Sequence, residues 1–181
     1  IDKLAAQGMR FTDAYAACPV CSPTRASIMT GKYPARLGIT QWIGGSNKPT
    51  AYRHFLPLEE VTIAEALKEA GYATACYGKW NVGETAGISW PGAHGFDDWL
   101  VIDHNTGYFE HQNNNADCHG REMLFKTGGV RETAREGQYL TDIFTDKALG
   151  FIDAHQDEPF FLYLPFAVPH NPLQDPDDPT L

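Results

Sequence analysis

The sequence lacks long apolar runs, an excess of basic residues and a dense set of cysteines, and each absence excludes a class of protein. No apolar run approaches the roughly 20 residues that a membrane-spanning helix needs. The 14 Lys and Arg residues are outnumbered by 23 Asp and Glu, a formal net charge of -9, so no basic surface for nucleic acid is predicted. Four cysteines in 181 residues do not make a disulfide scaffold.

The chain also opens without an initiating methionine or a signal peptide, and its first residues, IDKLAAQG, enter a helical pattern at once. We therefore expect residues 1–181 to be a piece of a longer chain. With 43% hydrophobic and 20% charged residues, the composition is that of a globular protein with one core. The cellular location is left open by these residues.

Apolar periodicity divides most of the chain into alternating helices and strands. Helices are predicted before Gly8, over residues 23–30 with Gly31 as the stop, at VTIAEALKEAGY and over residues 139–155. Thr62 and Glu65 form a capping-box pattern at the start of the third of these helices. Strands are predicted at MRFTDAYA, YATACYG and PFFLYLPFAV. The last run is apolar throughout, as in a strand that is buried on both faces. We therefore predict an α/β fold with a mostly parallel, mixed sheet and helices on both faces.

Polar loops follow all three predicted strands, with the sequences AACPVCSPTR, GKWNVG and PHNP. In open α/β sheets, ligands bind beyond the carboxyl ends of the strands. We therefore expect the three loops to converge on one site. Residues 84–138 are rich in Gly, Asn, His and Asp and show little periodicity, which predicts a long loop region.

The first loop contains Cys18 and Cys21, whose spacing is that of thiol-redox pairs and of half a zinc site. A redox pair leads directly into its helix, whereas a Ser-Pro dipeptide intervenes here. A zinc site needs two more ligands at ordered spacing, and the Cys-His pair at 118–119 does not match a zinc-ribbon half. Cys18 is interpreted as structural, and both alternatives stay open.

Cys21 can instead be grouped with the Ser-Pro-Thr-Arg that follows it. Ser22 suits a helix N-cap and Pro23 the first helical position. Cys21 would then lie just before a helix N-terminus, where free N–H groups and the helix dipole favour an anion. Arg25, in the first turn, can reach toward Cys21 or toward an oxyanion beside it. A nucleophile, an anion-favouring helix end and a guanidinium within one turn indicate a site for an ester anion.

Three segments also resemble a known family. CSPTRASIMTGKY resembles the signature of the type I sulfatases, the formylglycine-dependent arylsulfatase family of the alkaline phosphatase superfamily. GYATACYGKWNVG is similar to the second signature of that family, and FFLYLPFAVPHNP to the segment that supplies an active-site histidine. The resemblance covers nearly the whole chain and implies that residues 1–181 are the N-terminal part of a single sulfatase catalytic domain, incomplete at both ends. It is nearest to bacterial secreted sulfatases that act on sulfated sugars, so a periplasmic or secreted location is expected.

The resemblance implies a role for each of four residues. Cys21 would be oxidised to formylglycine by a formylglycine-generating, sulfatase-maturating enzyme, and one hydroxyl of the hydrated aldehyde would attack sulfur. Arg25 would hold the hydrated aldehyde, and Lys79 would bridge it to the sulfate. His170 would contact the sulfate or protonate the leaving oxygen. The modified Cys21 would also be a ligand of Ca²⁺, with the further ligands outside this chain.

The sequence departs from the family pattern at Asn81, where the family usually has a histidine that acts as a base. An amide cannot take up a proton at neutral pH, although Asn81 could hydrogen-bond the nucleophile. Asn105 is the candidate for a further substrate-binding group. The acidic residues of the LQDPDDPTL tail are interpreted as solvated rather than as metal ligands. We interpret His94 as a surface loop residue and Trp80 as packing beneath the Lys79 loop.

The candidate site and the resemblance together favour a sulfuric ester hydrolase that cleaves sulfate esters, with sulfated carbohydrates as the expected substrates. A phosphonate or phosphate monoester hydrolase of the same superfamily is the first alternative. A non-catalytic sulfatase-like binding domain is the second, motivated by Asn81. A thiol-redox protein would require a reversible disulfide between Cys18 and Cys21.

Overall fold

The computed structural model describes residues 1–44, 51–83, 89–102, 108–109, 112–113, 121–122, 124–126, 130–131, 137–171 and 173–177. The helices are α1 (Asp2–Gln7), α2 (Cys21–Thr30), α3 (Pro34–Leu37), α4 (Ile63–Glu69) and α5 (Leu140–Ala154). The strands are β1 (Ala73–Lys79), β2 (Asp98–Ile102), β3 (Gln112–Asn113), β4 (Arg121–Glu122), β5 (Leu124–Lys126), β6 (Val130–Arg131) and β7 (Phe160–Tyr163). A single 3₁₀ turn (Pro91–His94) precedes β2.

Five of the strands form one mixed sheet in the order β6-β5-β2-β1-β7. β1 lies between β2 and β7 and runs parallel to both, whereas β5 and β6 are antiparallel additions at one side. Strands β3 and β4 pair separately in a small antiparallel ribbon. The predicted α/β class with a mixed, mainly parallel central sheet is confirmed.

Each face of the sheet carries its own core, because successive side chains of a strand point to opposite faces. On one face, Cys76 and Trp80 pack with buried residues of α2, α3 and α4. On the other, Ala75 and Tyr77 pack with the apolar face of α5. The predicted placement of helices on both faces is therefore confirmed. No helix in the described ranges is long and apolar enough to cross a membrane.

The predicted start of α4 is confirmed in detail. The hydroxyl of Thr62 accepts a hydrogen bond from the Glu65 amide at 3.1 Å, and the Glu65 carboxylate accepts one from the Thr62 amide at 2.8 Å. The Thr62 hydroxyl also donates to the carbonyl of His94 at 2.8 Å. This reciprocal cap satisfies free amides of the first turn and attaches α4 to the turn that leads into β2.

The prediction of a strand at MRFTDAYA is wrong. Residues 9–16 form bends and extended chain, their side chains are exposed, and none of them pairs with a strand among the described residues. Alternating polarity identifies a strand only where a partner strand supplies its hydrogen bonds. The short helix before Gly8 is present, as predicted, but none of its residues is buried.

The prediction for PFFLYLPFAV is also partly wrong. Only Phe160–Tyr163 are a strand, and they lie at the edge of the described sheet with half-buried side chains rather than in its centre. Conversely, the five strands β2 to β6 all lie within the region that was predicted to be a long loop, and the longest of them is β2. It has five residues and begins at the acidic Asp98, so its apolar run is too short to indicate a strand by periodicity.

Candidate active site

Cys21 is the first residue of α2, rather than the residue before the helix as predicted. Val20 occupies the N-cap position and makes no side-chain cap, and Pro23 is the third helical residue. Ser22 does not cap the helix because its hydroxyl is engaged by other segments. Proline is tolerated here because the amides of a first turn have no helical partner. Gly31 ends α2 in the left-handed conformation, as predicted.

A buried hydrogen-bond circuit joins Ser22 to two other segments. The Ser22 hydroxyl donates to Asn81 Oδ1 at 3.0 Å and accepts from the amide of Ile43 at 2.8 Å. Asn81 Nδ2 in turn donates to the carbonyl of Ile43 at 3.3 Å. All three residues are buried. The residue after Cys21 is thus tied to the loop that follows β1.

Arg25 connects the same helical turn to the end of β1 and to β7. Its Nη1 donates to the carbonyl of Lys79 at 2.6 Å and lies 3.5 Å from the hydroxyl of Tyr163. Burial raises the pKa of the Tyr163 phenol, and the nearby Arg25 opposes this with a smaller lowering. The Tyr163 hydroxyl therefore stays protonated at neutral pH. The guanidinium therefore lies at the edge of the sheet where β1 and β7 end.

Lys79 is the last residue of β1 and is only 3% exposed. Its amide donates to the carbonyl of Pro165 at 2.8 Å, which continues the pairing between β1 and the chain that leaves β7. This close approach requires glycine at the preceding position, because a Cβ on Gly78 would lie 2.3 Å from the Pro165 oxygen. The backbone of the GKWN loop is therefore held by the chain that leaves β7, in addition to its contact with Arg25 of α2.

Trp80 lies beneath the loop and is not available to a substrate. Its indole N–H donates to the carbonyl of Ser89 at 2.6 Å, and its amide donates to Ile102 at 2.9 Å. The indole packs edge-on against Phe96 and contacts the ring of His94, with centroid distances of 5.9 Å in both cases. These contacts match the prediction that Trp80 packs beneath the Lys79 loop.

The prediction that His94 is a surface residue is wrong, because its side chain is fully buried. Neither ring nitrogen has a hydrogen-bond partner among the described residues. Burial lowers the pKa of His94, and the nearby Glu65 carboxylate and Leu56 backbone raise it by less. The loop-like composition of WPGAHGF concealed this position, since a 3₁₀ turn folds the histidine inward under Trp80.

His170 lies in the turn after β7, at the sheet edge where β1 also ends. Its side chain is exposed, and its Nδ1 lies 2.9 Å from the carbonyl of Asn171. Its own carbonyl accepts a hydrogen bond from the Tyr108 hydroxyl at 2.5 Å. An open cavity of about 330 Å³ lies next to this turn, lined by Tyr108, Tyr139, Val168, Pro169, Leu173, Gln174, Asp175 and Pro176.

Two of the three predicted loops therefore meet through direct contacts. Ser22 and Arg25 of the first loop contact Asn81 and Lys79 of the second, and the His170 turn lies at the same edge of the sheet. Sequence reasoning missed Tyr163 and Ile43. Tyr163 carries the one hydroxyl in FFLYLPFAV, which is a usable signal, whereas Ile43 takes part through its backbone and leaves none.

The described residues form neither a disulfide nor a clustered metal site. Cys18, Cys21 and Cys76 are free, and no group of three or more His, Cys, Asp or Glu side chains in the described ranges could hold a metal ion. Asn105 and the Cys-His pair at 118–119 lie outside the described residues. Asp175 and Asp177 are exposed, as expected of a solvated tail.

Comparison with known proteins agrees with this geometry. The Sulfatase family model matches residues 1–180. An arylsulfatase of Hemicentrotus pulcherrimus is 39% identical over 194 residues, which cover 98% of this chain and 34% of that protein. Ps i-CgsB, solved in complex with k-i-k-neocarrahexaose, is 32% identical to this chain and has a TM-score of 0.79. The match covers 97% of this chain and 40% of the Ps i-CgsB chain.

BT4656, solved in complex with its substrate D-glucosamine-2-N,6-O-disulfate, is a further similar structure. It is 26% identical with a TM-score of 0.64, covering 94% of this chain and 29% of that chain. This chain spans about a third of the length of the curated relatives that it matches. The family match over nearly every residue and the fold shared with solved sulfatases lead to one conclusion: the chain belongs to the sulfatase family.

Proposed function

We propose that this protein hydrolyses sulfate esters and that Cys21, after conversion to formylglycine, is its nucleophile. The observation that carries the proposal is the position of Cys21 at the start of α2, in a turn held against the end of β1. Ser22 and Arg25 make the contacts, to Asn81 and to the Lys79 carbonyl. Family membership supports the reaction class.

Formylglycine would supply a hydrated aldehyde: one hydroxyl would attack sulfur as the alcohol leaves, and the second would then lose its proton, so that sulfate leaves and the aldehyde re-forms. This chain's own residues would bind and orient the ester around that group. Arg25 has five N–H donors, and those not directed at the Lys79 carbonyl and the Tyr163 hydroxyl remain for an oxyanion. The cation of Lys79 at the end of β1 adds positive charge at the same edge. His170, being exposed, can approach the leaving oxygen.

A sulfated carbohydrate is the proposed substrate class. Two similar proteins support it, because one was solved with a neocarrahexaose and the other with a disulfated glucosamine as its substrate. Asn105 is kept as a proposed substrate-binding residue. A sugar would meet the site from the open side, where the His170 turn and the adjacent cavity lie.

Ca²⁺ is the metal that the family resemblance implies, and the described residues do not form a site for it. Calcium takes six to eight oxygen ligands. Cys21, once oxidised, would offer an oxygen, but no group of three or more acidic, His or Cys side chains surrounds it in the described ranges. We therefore derive no step through the ion, and any further ligands come from residues other than these.

Two alternatives have an observation behind them. A phosphate or phosphonate monoester is also a tetrahedral oxyanion, and Arg25 and Lys79 would bind either ester. A non-catalytic binding domain is suggested by Asn81, whose carboxamide is hydrogen-bonded to Ser22 and Ile43. A maturating enzyme that converts Cys21, and a periplasmic or secreted location, belong to the main proposal.

The experiment that tests the proposal combines mass spectrometry with kinetics on the protein as its source cell produces it. Trypsin would release residues 11–25, and fragmentation would assign a change from CH₂SH to CHO to Cys21 rather than to Cys18. Turnover of matched aryl sulfate and aryl phosphate esters would then be compared. We expect the aldehyde at Cys21, faster turnover of the sulfate, and none after Cys21→Ala.

Three outcomes would contradict the proposal in different ways. Faster turnover of the aryl phosphate favours the monoesterase. An unmodified Cys21 with no turnover favours the binding domain. Undiminished turnover after Cys21→Ala places the nucleophile elsewhere.

A further inference from the structure

Asn81 occupies an unusual backbone position at the centre of the site. Its φ is 53°, in the left-handed region, and it is the one non-glycine residue with a positive φ among those described. Asparagine is one of the few residues that adopt this conformation readily. The side chain is 2% exposed and lies two residues after Lys79. This backbone conformation directs the carboxamide toward α2.

Both ends of the carboxamide are used by neighbouring segments. Oδ1 accepts from the hydroxyl of Ser22, and Nδ2 donates to the carbonyl of Ile43. The Ile43 amide closes the circuit by donating to the Ser22 oxygen. A reversed carboxamide would place two acceptors, Oδ1 and the Ile43 carbonyl, against each other. The hydrogen bonds therefore fix the orientation of the group.

This circuit bears directly on Cys21, because Ser22 is the next residue in the first turn of α2. Arg25 holds the same turn to the Lys79 carbonyl. The turn is thus attached on both sides of the buried Trp80, once at residue 79 and once at residue 81. Movement of either attachment would shift Cys21 relative to the end of β1.

We propose that Asn81 is a positioning residue that holds the Cys21 turn through Ser22 and exchanges no proton in the reaction. The role rests on the proposed function, since it concerns the placement of the proposed nucleophile. It differs from that of the histidine usual at this position of the family, which is a base. A carboxamide neither gains nor loses a proton as an acid or base near neutral pH, and this one is hydrogen-bonded to Ser22 and Ile43.

The test is a double-mutant cycle on Ser22→Ala and Asn81→Gly. Glycine at residue 81 keeps the left-handed backbone without strain, so that the change removes the carboxamide alone. The matched control is Thr74→Val. It removes a buried hydroxyl that donates to Gly95 at 2.7 Å, at the opposite end of β1. Turnover of an aryl sulfate is measured per molecule that carries the aldehyde, well below the unfolding temperature.

We expect each single variant to lower kcat by about 10- to 100-fold, because small displacements of a nucleophile are costly. KM should stay within about twofold of the parent value. The double variant should be no slower than the slower single variant, since both changes break the same circuit. Thr74→Val should keep the parent kcat.

Two kinetic results would overturn the role. One is a parent-like kcat in Ser22→Ala together with a large loss of kcat in Asn81→Gly, or losses of kcat that multiply in the double variant. Either pattern would mean that Asn81 acts on the reacting groups directly. The other is Asn81→His turning over faster than the parent with a new inflection near pH 6.5 in the kcat/KM profile, which would make residue 81 a proton-exchanging position.

A readout that needs no turnover separates this inference from the proposed function. Hydrogen exchange at the Ile43 amide and over residues 20–26 can be followed in protein whose Cys21 was never converted. Faster exchange in both variants, but not in Thr74→Val, supports the circuit even if the protein hydrolyses no sulfate ester. Unchanged exchange at both places contradicts it even if Cys21 proves to be the nucleophile.

Discussion

The ends of β1 and β7 lie at the same edge of the sheet, but their polar groups are held in opposite ways. At the end of β1, Lys79 and Asn81 are buried and tied to α2 through backbone and side-chain hydrogen bonds. After β7, the His170 side chain is exposed, and its carbonyl is held by the Tyr108 hydroxyl. The polar groups of one region are enclosed by protein, whereas the His170 side chain of the other faces solvent.

The difference follows from the position of each strand in the sheet. β1 has a parallel neighbour on both sides, so polar groups at its end are enclosed and must find protein partners. β7 has a described neighbour on one side only, and its residues are half buried. Burying an unpartnered polar group is costly. A side chain that is to meet a ligand, such as His170, is therefore more easily placed after the outer strand β7, where it is exposed.

The largest effect expected from this comparison is on stability. Trp80→Ala should lower the free energy of unfolding by about 3–5 kcal/mol, because it removes a buried indole that also donates a hydrogen bond. Phe166→Ala, in the partly exposed segment after β7, should change it by less than about 1 kcal/mol. Urea unfolding of both variants gives the two values. Equal losses would mean that the β7 side is as firmly packed as the β1 side.

A smaller effect is expected on turnover when the attachment of α2 to β1 is weakened. Arg25→Lys should lower kcat by about 100-fold, because a lysine cannot reproduce the guanidinium contacts to the Lys79 carbonyl and the Tyr163 hydroxyl. Arg36→Lys, on the exposed side of α3, is the matched control and should keep the parent kcat. A kcat in Arg25→Lys comparable to that of the parent would show that a positive charge at residue 25 suffices without the guanidinium contacts.

The β7 side should separate activity from stability. His170→Gln should lower kcat by about 100-fold if the side chain serves the leaving oxygen, while the free energy of unfolding changes by less than about 0.5 kcal/mol. His155→Gln, at the end of α5 and outside the site, should affect turnover little. Steady-state kinetics and urea unfolding on the same samples test both parts. A destabilised His170→Gln with normal kcat would make the residue structural.

The smallest effect is the pH dependence of stability from His94. Burial lowers the pKa of this residue in the folded state, so the unfolded chain takes up a proton near pH 6.5 while the folded chain does not. Stability should therefore fall as the pH drops below about 6.5, and the fall should be shallower in His94→Leu. Urea unfolding at a series of pH values measures it. Parallel pH curves for the two proteins would show that His94 does not titrate this way.

Local chemistry was enough to predict several features. The capping box of α4 and the end of α2 at Gly31 depend on residues close in sequence. The α/β class followed from helices alternating with apolar strands. Cys21, Arg25 and Lys79 were recognised as a group through their motifs, and the contact of Arg25 with the Lys79 carbonyl agrees with that grouping.

Other features depended on partners distant in the chain. MRFTDAYA alternates like a strand but has no described partner, and His94 lies in a loop-like segment that folds under Trp80. Ser22 has the chemistry of an N-cap, yet its hydroxyl bonds to a residue 59 positions away. In each case, the presence or absence of a partner distant in the chain decided the structure that the segment adopts.

The sequence by itself therefore determined the chemical groups of the site, the α/β class and the family. Only the tertiary structure decided which of these groups are buried and which are exposed. The physical reason is that burial and hydrogen-bond partners depend on neighbours across the sheet. Asn81 could be read as an impaired base from its position in a motif, whereas its contacts with Ser22 and Ile43 give it a place in the packing of the site.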